Sequence, residues 1–172
     1  MTRQSALPLS GHQRPYRGAT DEWYTPPELF AALALDFDLD PASPLDGPVP
    51  WVPARRFLTA RENGLSAPWD PHELVWLNPP YGPEVGNWIG RLARHGRGVA
   101  LLFARTDTRW FHDWIPHADV VCFLAGRIHF YRRDGTRAHF NAGAPSMLVA
   151  YGDDAAEAVR RAGLGMVLEV PA

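Results

Sequence analysis

Several features that would point to particular protein classes are scarce in this sequence. It has no lysine, so all 17 basic residues are arginine, and 19 acidic residues bring the net charge to −2. Because such a chain has no overall positive field, any attraction to nucleic acid must come from a local cluster of arginines. No apolar run approaches the ~20 residues of a membrane-spanning helix, and the amino terminus lacks the apolar core of a signal peptide, so we expect a cytoplasmic location.

The sequence also has only one cysteine, and its seven histidines do not form a metal-binding pattern. The single cysteine, Cys122, lies in an apolar run, which predicts a buried and unreactive thiol. No histidine spacing places two rings on one helix face beside an acidic ligand, so we predict no metal site. At 172 residues the chain is long enough for one core. We expect a disordered tail over residues 1–20 and a single domain over residues 21–172.

The stretch over residues 74–82 combines an apolar run with a rigid turn. Four apolar residues predict a buried strand, and Asn78, Pro79, Pro80 and Tyr81 follow directly. The prolines prevent both further strand pairing and an immediate helix, and Gly82 allows the chain to turn. The sequence therefore predicts a rigid tetrapeptide at the carboxyl end of a central strand, where open α/β sheets bind ligands.

This tetrapeptide suits transfer of a methyl group to a planar amine such as the 6-amino group of adenine. The lone pair of that nitrogen is delocalised into the ring, so two acceptors aimed at its N–H bonds would favour the transition state. The candidate acceptors are the side-chain oxygen of Asn78 and the backbone carbonyl of Pro79, with Pro80 fixing their direction. Tyr81 could stack on a base extruded from its duplex. The same residues could instead form only a stiff turn with an aromatic cap.

The rest of the chain alternates predicted strands and helices. Strands are predicted at residues 37–40, 57–59, 98–103, 119–124, 145–151 and 165–170, and helices near residues 26–33, 83–95, 108–115 and 153–162. Thr25 is a candidate cap for the first helix. The alternation predicts an α/β fold with a mixed, mostly parallel sheet and helices on both faces, in which residues 145–151 run antiparallel and residues 165–170 form an edge.

Four segments resemble, in the same order, those of phage-type DNA N-6-adenine methyltransferases. They are DEWYTPPELF at residues 21–30, DLDPAS at residues 38–43, NPPY at residues 78–81 and GRIHF at residues 126–130. The segment NPPY alone also occurs in glutamine-directed methyltransferases, so the ordered set is the more specific signal. The resemblance covers residues 21–152 and implies a trimmed Rossmann-like class I methyltransferase that uses S-adenosylmethionine.

The resemblance also implies a cofactor site. Asp40 is expected to hold the cationic methionine part together with Pro41 and Ala42, and we expect only one of Asp38 and Asp40 to face it. The other implied cofactor contacts are Trp23, Tyr24, Thr25, Asn63, Leu65 and Asn78. Residues 63–64 could equally form a simple Asn-Gly turn. No glycine-rich turn follows Asp40, and only 37 residues separate it from Asn78, which leaves the ribose-binding acid of larger enzymes without a counterpart.

Six arginines are candidate contacts to DNA. Two follow the strand at residues 98–103, and four cluster within eleven residues near the end of the resemblance: Arg105, Arg109, Arg127, Arg132, Arg133 and Arg137. Such a cluster can neutralise several phosphates, although a solvated hairpin has the same pattern. Trp110 could support the extruded base, but its spacing favours a place in the core.

These observations predict an enzyme that transfers methyl from S-adenosylmethionine to the 6-amino group of a flipped adenine in double-stranded DNA. Two alternatives stay open. One is a methyltransferase acting on RNA adenine or on a protein glutamine, and the other is a nucleic-acid-binding relative without catalysis. The sequence specifies neither the recognition site nor the oligomeric state.

Overall fold

A computed structural model describes residues 24–139 and 142–171, so the predicted tail over residues 1–20 and Trp23 lie outside the described part of the chain. The strands are β1 (Phe37–Asp40), β2 (Ala54–Phe57), β3 (Val75–Leu77), β4 (Gly98–Phe103), β5 (Val120–Leu124), β6 (Ser146–Tyr151) and β7 (Gly165–Glu169). The α-helices are α1 (Pro27–Leu33), α2 (Val85–His95), α3 (Arg109–Trp114) and α4 (Asp153–Arg161), and a 3-10 turn spans Ile115–His117. The predicted α/β class is confirmed.

The strands form one seven-stranded sheet in the order β2-β1-β3-β4-β6-β5-β7. Strands β2, β1, β3 and β4 pair in parallel, whereas β4 with β6, β6 with β5, and β5 with β7 pair antiparallel. The expectation of a mostly parallel sheet is therefore wrong, since three of the six pairings are antiparallel. The cause is the order of the last strands, because β6 inserts between β4 and β5 and so separates two strands of the same direction. The antiparallel course of β6 and the edge position of β7 are confirmed.

Two hydrophobic cores fill the two faces of the sheet. Helices α1 and α4 cover one face over Trp76, Leu101 and Leu148, and α2 and α3 cover the other over Leu77 and Leu102. Each core is assembled from alternate residues of the same strands, as the pleat requires. Helices therefore lie on both faces, as predicted.

A local irregularity in β1 decides which of its side chains reach the ligand-binding edge. The N–H groups of Asp38 and Leu39 both donate to the carbonyl oxygen of Leu74, at 2.8 and 3.3 Å, as at a β-bulge. Residues two apart in a regular strand lie on the same face of the sheet. Here Phe37 packs in the core under α1 and α4, whereas Leu39 packs in the core under α2 and α3, so the alternation is broken between them. This break separates the environments of Asp38 and Asp40.

Two local predictions are wrong. The strand expected at residues 57–59 is instead Ala54–Phe57, an edge strand of alternating exposure without a long apolar run. The cap of α1 is Pro26 rather than Thr25, and it makes no side-chain hydrogen bond. Two prolines at the helix start remove donors that a side-chain cap would satisfy.

The sheet reverses its order between β1 and β3. From β1 the chain moves outward to β2 and then crosses back to β3 on the other side of β1. Such a switch point opens a crevice beyond the carboxyl ends of the strands, where α/β sheets bind ligands. Asp40 ends β1 and Asn78 directly follows β3, so the topology brings both to this crevice.

Candidate active site

A cavity of about 260 Å³ lies at this switch point. It is lined by Tyr24, Thr25, Asp40, Ala42, Ser43, Pro44, Leu45, Val49, Val52, Ala60, Trp76, Asn78, Pro79, Pro80 and Tyr81. The tetrapeptide at residues 78–81 thus lines the same cavity as Asp40. Five of the residues predicted to contact a cofactor meet here, namely Tyr24, Thr25, Asp40, Ala42 and Asn78.

Asp40 is a buried carboxylate, with only 6% of its surface exposed. Its two oxygens accept hydrogen bonds from the Ser43 hydroxyl at 2.7 Å and from the Ala42 N–H at 3.1 Å. Burial raises the pKa of Asp40 to about 6, and these two hydrogen bonds oppose the shift. Asp38 instead faces away, pairing with Arg55 at 3.2 Å and accepting from the Leu74 N–H at 2.9 Å. Of these two carboxylates, only Asp40 is therefore available to a ligand in the cavity.

Asn78 and Tyr81 are tied together within the tetrapeptide. The Tyr81 hydroxyl donates to Oδ1 of Asn78 at 3.2 Å. Burial raises the pKa of the Tyr81 phenol, which keeps it protonated and able to donate. The Tyr81 ring stacks on Phe103, with centroids 3.9 Å apart and planes 11° apart, and meets the edge of Phe130 at 6.4 Å. These contacts fix the orientation of both side chains.

A second cavity, also of about 260 Å³, lies beyond Tyr81. Its lining consists of Tyr81, Gly82, Val85, Phe103, Arg105 and Trp110. Tyr81 belongs to both cavities and so forms a wall between them. The arrangement offers two adjoining compartments, one with a buried carboxylate and one with aromatic walls and an exposed guanidinium.

The outer wall of the first cavity is held by aromatic side chains. The Trp51 indole N–H donates to the carbonyl oxygen of Thr25 at 2.8 Å. The Trp51 ring packs edge-on against the rings of Tyr24 and Tyr131, with centroids 6.4 and 6.0 Å apart. The backbone of Tyr24 pairs with that of Tyr131 through bonds of 3.3 and 2.9 Å. The Tyr131 hydroxyl donates to Glu28 at 2.5 Å. This network anchors the predicted cofactor residues Tyr24 and Thr25.

Pro41, Asn63 and Leu65 are placed beside this cavity and are not among its lining residues. Asn63 has φ +53° and its carbonyl accepts from the N–H groups of Ser66 and Ala67, each at 2.9 Å, which makes a turn. A Cβ on Gly64 would lie 1.9 Å from the carbonyl oxygen of Pro41, so the turn packs closely on the residue after Asp40. Contact of Pro41, Asn63 and Leu65 with a cofactor stays a prediction.

The six predicted DNA-contacting arginines lie in two groups, and all six are exposed. Arg105 lines the second cavity, and Arg109 begins α3 beside it. Arg132, Arg133 and Arg137 belong to a tight turn over residues 131–137, which we call the arginine hairpin. Arg127 precedes this hairpin and donates to the carbonyl oxygen of Ala142 at 3.3 Å.

The arginine hairpin adjoins the first cavity. Its Tyr131 pairs with Tyr24, and Arg133 donates to the carbonyl oxygen of Asp46 at 2.8 Å in the proline-rich loop over residues 44–53. That loop supplies Leu45, Val49 and Val52 to the cavity wall. The positive hairpin and the cavity with its buried carboxylate are thus joined by direct contacts.

Sequence reasoning missed three residues of the site. Ser43 ends the DLDPAS segment, and its spacing of three residues from Asp40 is typical of a side-chain hydrogen bond in a turn. Phe103 ends the strand next to β3, a position that faces the same crevice. Trp51 lies in a loop without periodicity, and no sequence signal points to it.

Within residues 24–139 and 142–171 there is no group of three potential metal-binding side chains. No helix in the described part of the chain is long and apolar enough to cross a membrane.

Comparison with known proteins gives a consistent assignment. The family model for DNA N-6-adenine-methyltransferase (Dam) matches residues 14–159. A DNA N-6-adenine-methyltransferase of Escherichia phage T1 is 30% identical over a match of 110 residues, and the match covers 60% of this chain and 44% of the phage protein. The match thus spans less than half of that relative's length, and no solved structure matches the chain. Because the family model covers most of the chain, the protein belongs to the DNA N-6-adenine-methyltransferase (Dam) family.

Proposed function

We propose that this protein transfers a methyl group from S-adenosylmethionine to the 6-amino group of a flipped adenine in double-stranded DNA. One observation carries the proposal: Asn78, with its side-chain acceptor, and the buried carboxylate of Asp40 line the same cavity. Membership of the Dam family supports it, and that family generally uses S-adenosylmethionine.

The residues of the first cavity fit such a cofactor. When bound, S-adenosylmethionine supplies a methyl group on a positively charged sulfonium. Asp40 offers a negative charge in a site with little competing water, where ionic attraction is strong. Val49, Val52 and Trp76 provide an apolar wall for the rest of the molecule, while Tyr24 and Thr25 would contact its carboxylate end. For Trp23, which lies outside the described residues, the same contact is implied only by the resemblance.

Asn78 and Pro79 orient the amine that is to be methylated. An amide oxygen has two lone pairs, so Oδ1 of Asn78 can keep its bond to Tyr81 and accept a second one from the amine. The Pro79 carbonyl accepts the other N–H, and Pro80 restricts the backbone around it. These preset acceptors stabilise the pyramidal nitrogen of the transition state, which is their catalytic effect.

The second cavity suits the adenine ring, whose 6-amino group would reach past Tyr81 to Asn78 and Pro79 in the first cavity. Phe103 already covers one face of the Tyr81 ring, so a base would stack on the opposite face or on Trp110. Stacking of a base on an aromatic ring contributes about 1–3 kcal/mol, enough to offset part of the cost of leaving the duplex. Arg105, at the rim, would contact the phosphate of the extruded nucleotide.

The duplex would contact the remaining arginines. Arg109 lies beside the second cavity, and the arginine hairpin and Arg127 lie beside the first. Contacts from both sides would hold the strand over the wall that Tyr81 forms between the cavities. We further propose that residues 21–172 are a single, trimmed Rossmann-like class I methyltransferase domain, because its parallel strands and switch point follow that plan.

A transfer assay tests the proposal. Unmethylated duplex DNA, an RNA of the same sequence and a glutamine-containing protein extract are each incubated with labelled S-adenosylmethionine and the protein, and the products are hydrolysed. Labelled N6-methyl-2′-deoxyadenosine from DNA is the expected result. Label only in RNA or in protein would contradict the proposed substrate. If the protein produced no label and did not bind the cofactor, a non-catalytic nucleic-acid-binding protein would be favoured.

A further inference from the structure

A third cavity, of about 400 Å³, lies next to the second cavity. It lies between α2 and α3, and we call it the α2–α3 groove. The side chains that give it its chemistry are Asn87, Arg94, Arg109, Trp110, Asp113 and Trp114. Trp110 also lines the second cavity, just as Tyr81 is shared by the second and the first. A strand that places its adenine in the second cavity therefore has the groove as the adjoining compartment.

The floor of the groove is fixed by close helix packing. A Cβ added to Gly86 would lie 3.1 Å from Cβ of Trp110, and one added to Gly90 would lie 2.6 Å from the Trp114 indole. The two glycines and the two tryptophans are each four residues apart, so they lie on facing stripes of α2 and α3. The Tyr151 hydroxyl also donates to the carbonyl oxygen of Trp114 at 2.9 Å. The groove is therefore preformed in the protein.

The walls carry groups that match a nucleotide. Arg94 lies over the Trp114 ring at 5.0 Å and Arg109 pairs with Asp113 at 3.4 Å, so one cation comes from each helix. The Arg109 side chain is 92% exposed, and a pair of this kind is weak enough to exchange a carboxylate for a phosphate. Asn87, exposed on α2 and lining the same groove, offers an amide that can donate and accept at one base edge.

We propose that the α2–α3 groove reads the nucleotide next to the target adenine, with Asn87 as the residue that determines sequence preference at that position. Arg94 and Arg109 bind its phosphate and Asn87 hydrogen-bonds to its base edge. The inference rests on the proposed function, since it needs a DNA strand that enters the second cavity.

The test separates base reading from phosphate binding. A duplex library carries one adenine flanked by randomised bases, and the methylated members are sequenced after reaction with wild type, Asn87→Ala, Arg109→Ala and Arg161→Ala. Arg161 is the matched control because it too is an exposed helical arginine with an acidic partner four residues away, Glu157 at 3.2 Å, and it lies on the opposite face of the sheet. Thermal unfolding of each variant confirms that the fold is retained.

Wild type should prefer one base beside the adenine, and Asn87→Ala should reduce that preference about tenfold, as expected for loss of a two-bond contact to a base. Arg109→Ala should raise the KM for all members alike and keep the preference, and Arg161→Ala should behave as wild type. A preference that survives in Asn87→Ala, or a wild type without preference at that position, would overturn the inference while leaving DNA methylation intact. A wild type that methylates no library member would remove the proposed function and the inference with it.

Discussion

The burial of the Asp40 carboxyl group lowers stability at neutral pH, and we propose that it serves to bind a ligand. Its carboxyl group is buried at the end of β1, and burial raises its pKa from the ordinary 3.8 to about 6. Two hydrogen bonds, from Ser43 and Ala42, offset only part of the loss of water. A buried anion whose loss of hydration is only partly offset in this way suits a cationic ligand.

The affinity for cofactor should depend on the ionisation of Asp40. Because a cation favours the carboxylate, we expect the Kd for S-adenosylmethionine to rise about tenfold per pH unit as the pH falls below about 6. Isothermal titration between pH 5 and pH 8 measures it. Asp40→Asn should bind weakly with little pH dependence. An affinity that is unchanged across this range in wild type would show that Asp40 does not hold the cation.

The same carboxyl group should affect folding in the opposite sense. Since its pKa is higher in the folded state than in the unfolded state, its contribution to stability is largest below about pH 4 and is lost as the pH rises through about 6. The stability of Asp40→Asn relative to wild type should therefore be greater at pH 8 than at pH 4.5, by roughly 2 kcal/mol. Denaturant unfolding of both proteins at the two pH values checks this, and an equal difference at both would contradict it.

At the scale of elements, α2 and α3 are held together by paired small and large residues. Gly86 packs against Cβ of Trp110 and Gly90 against the indole of Trp114, and no larger side chain fits at either glycine without a shift. We call the contact of Gly86 and Gly90 with Trp110 and Trp114 the seam. The short α3 has no buried residue of its own, so the seam positions it. The seam also sets the width of the α2–α3 groove.

Gly90→Ala should therefore destabilise the protein even though alanine is the better helix former. The new Cβ would meet the Trp114 indole at 2.6 Å, and overpacking of this kind costs about 1–3 kcal/mol, more than the gain of up to ~1 kcal/mol in helix propensity. Gly82→Ala is the control, because a Cβ there has no atom within 4 Å. Thermal unfolding should show a lower Tm for Gly90→Ala and almost no decrease for Gly82→Ala. Equal Tm values would mean that the seam does not position α3.

The elements that could be predicted from sequence are those with a local pattern. Strand β3 followed by the tetrapeptide, β4, α2 and α4 all have either an apolar run or 3–4 spacing, and each lies near its predicted place. Strand β2 was misplaced because Ala54–Phe57 is half exposed and has no such run. The order of β5, β6 and β7 depends on contacts between distant residues, which is why the share of antiparallel pairing was missed. The stack of Tyr81 on Phe103 escaped prediction for the same reason.

Across the whole molecule, positive charge is concentrated locally although the net charge is slightly negative. The net charge is −2, yet Arg132, Arg133 and Arg137 stand together on a hairpin that contacts the wall of the first cavity. Local clusters of this kind govern association with DNA when the total charge does not. The affinity for DNA should therefore fall steeply with salt concentration, and a small number of arginines should account for most of it.

Removal of two hairpin arginines should reduce the salt dependence of DNA binding. In Arg132→Ala/Arg137→Ala the slope of log K against log [salt] should fall by about 0.9 for each phosphate that the variant no longer neutralises. Arg133 is kept because it also donates to the loop at Asp46. The control, Arg97→Ala/Arg161→Ala, removes the same charge from the amino end of β4 and from α4. Fluorescence anisotropy over a salt series measures both, and equal slopes would show that the hairpin does not contact phosphate.

The most direct test of the proposed mechanism is turnover by Asn78→Ala at saturating cofactor on unmethylated duplex DNA. Formation of N6-methyl-2′-deoxyadenosine should fall about 10²–10³-fold, the effect of removing one preset hydrogen-bonding group from a transition state. The Kd for S-adenosylhomocysteine should change far less than turnover, because Asn78 is only one of the proposed cofactor contacts and Asp40, Tyr24 and Thr25 remain. Asn78→Asp, which keeps an acceptor oxygen, should retain more activity than Asn78→Ala. Turnover of Asn78→Ala close to that of wild type would contradict the assignment of Asn78 as the acceptor that orients the amine, and with it the proposed mechanism.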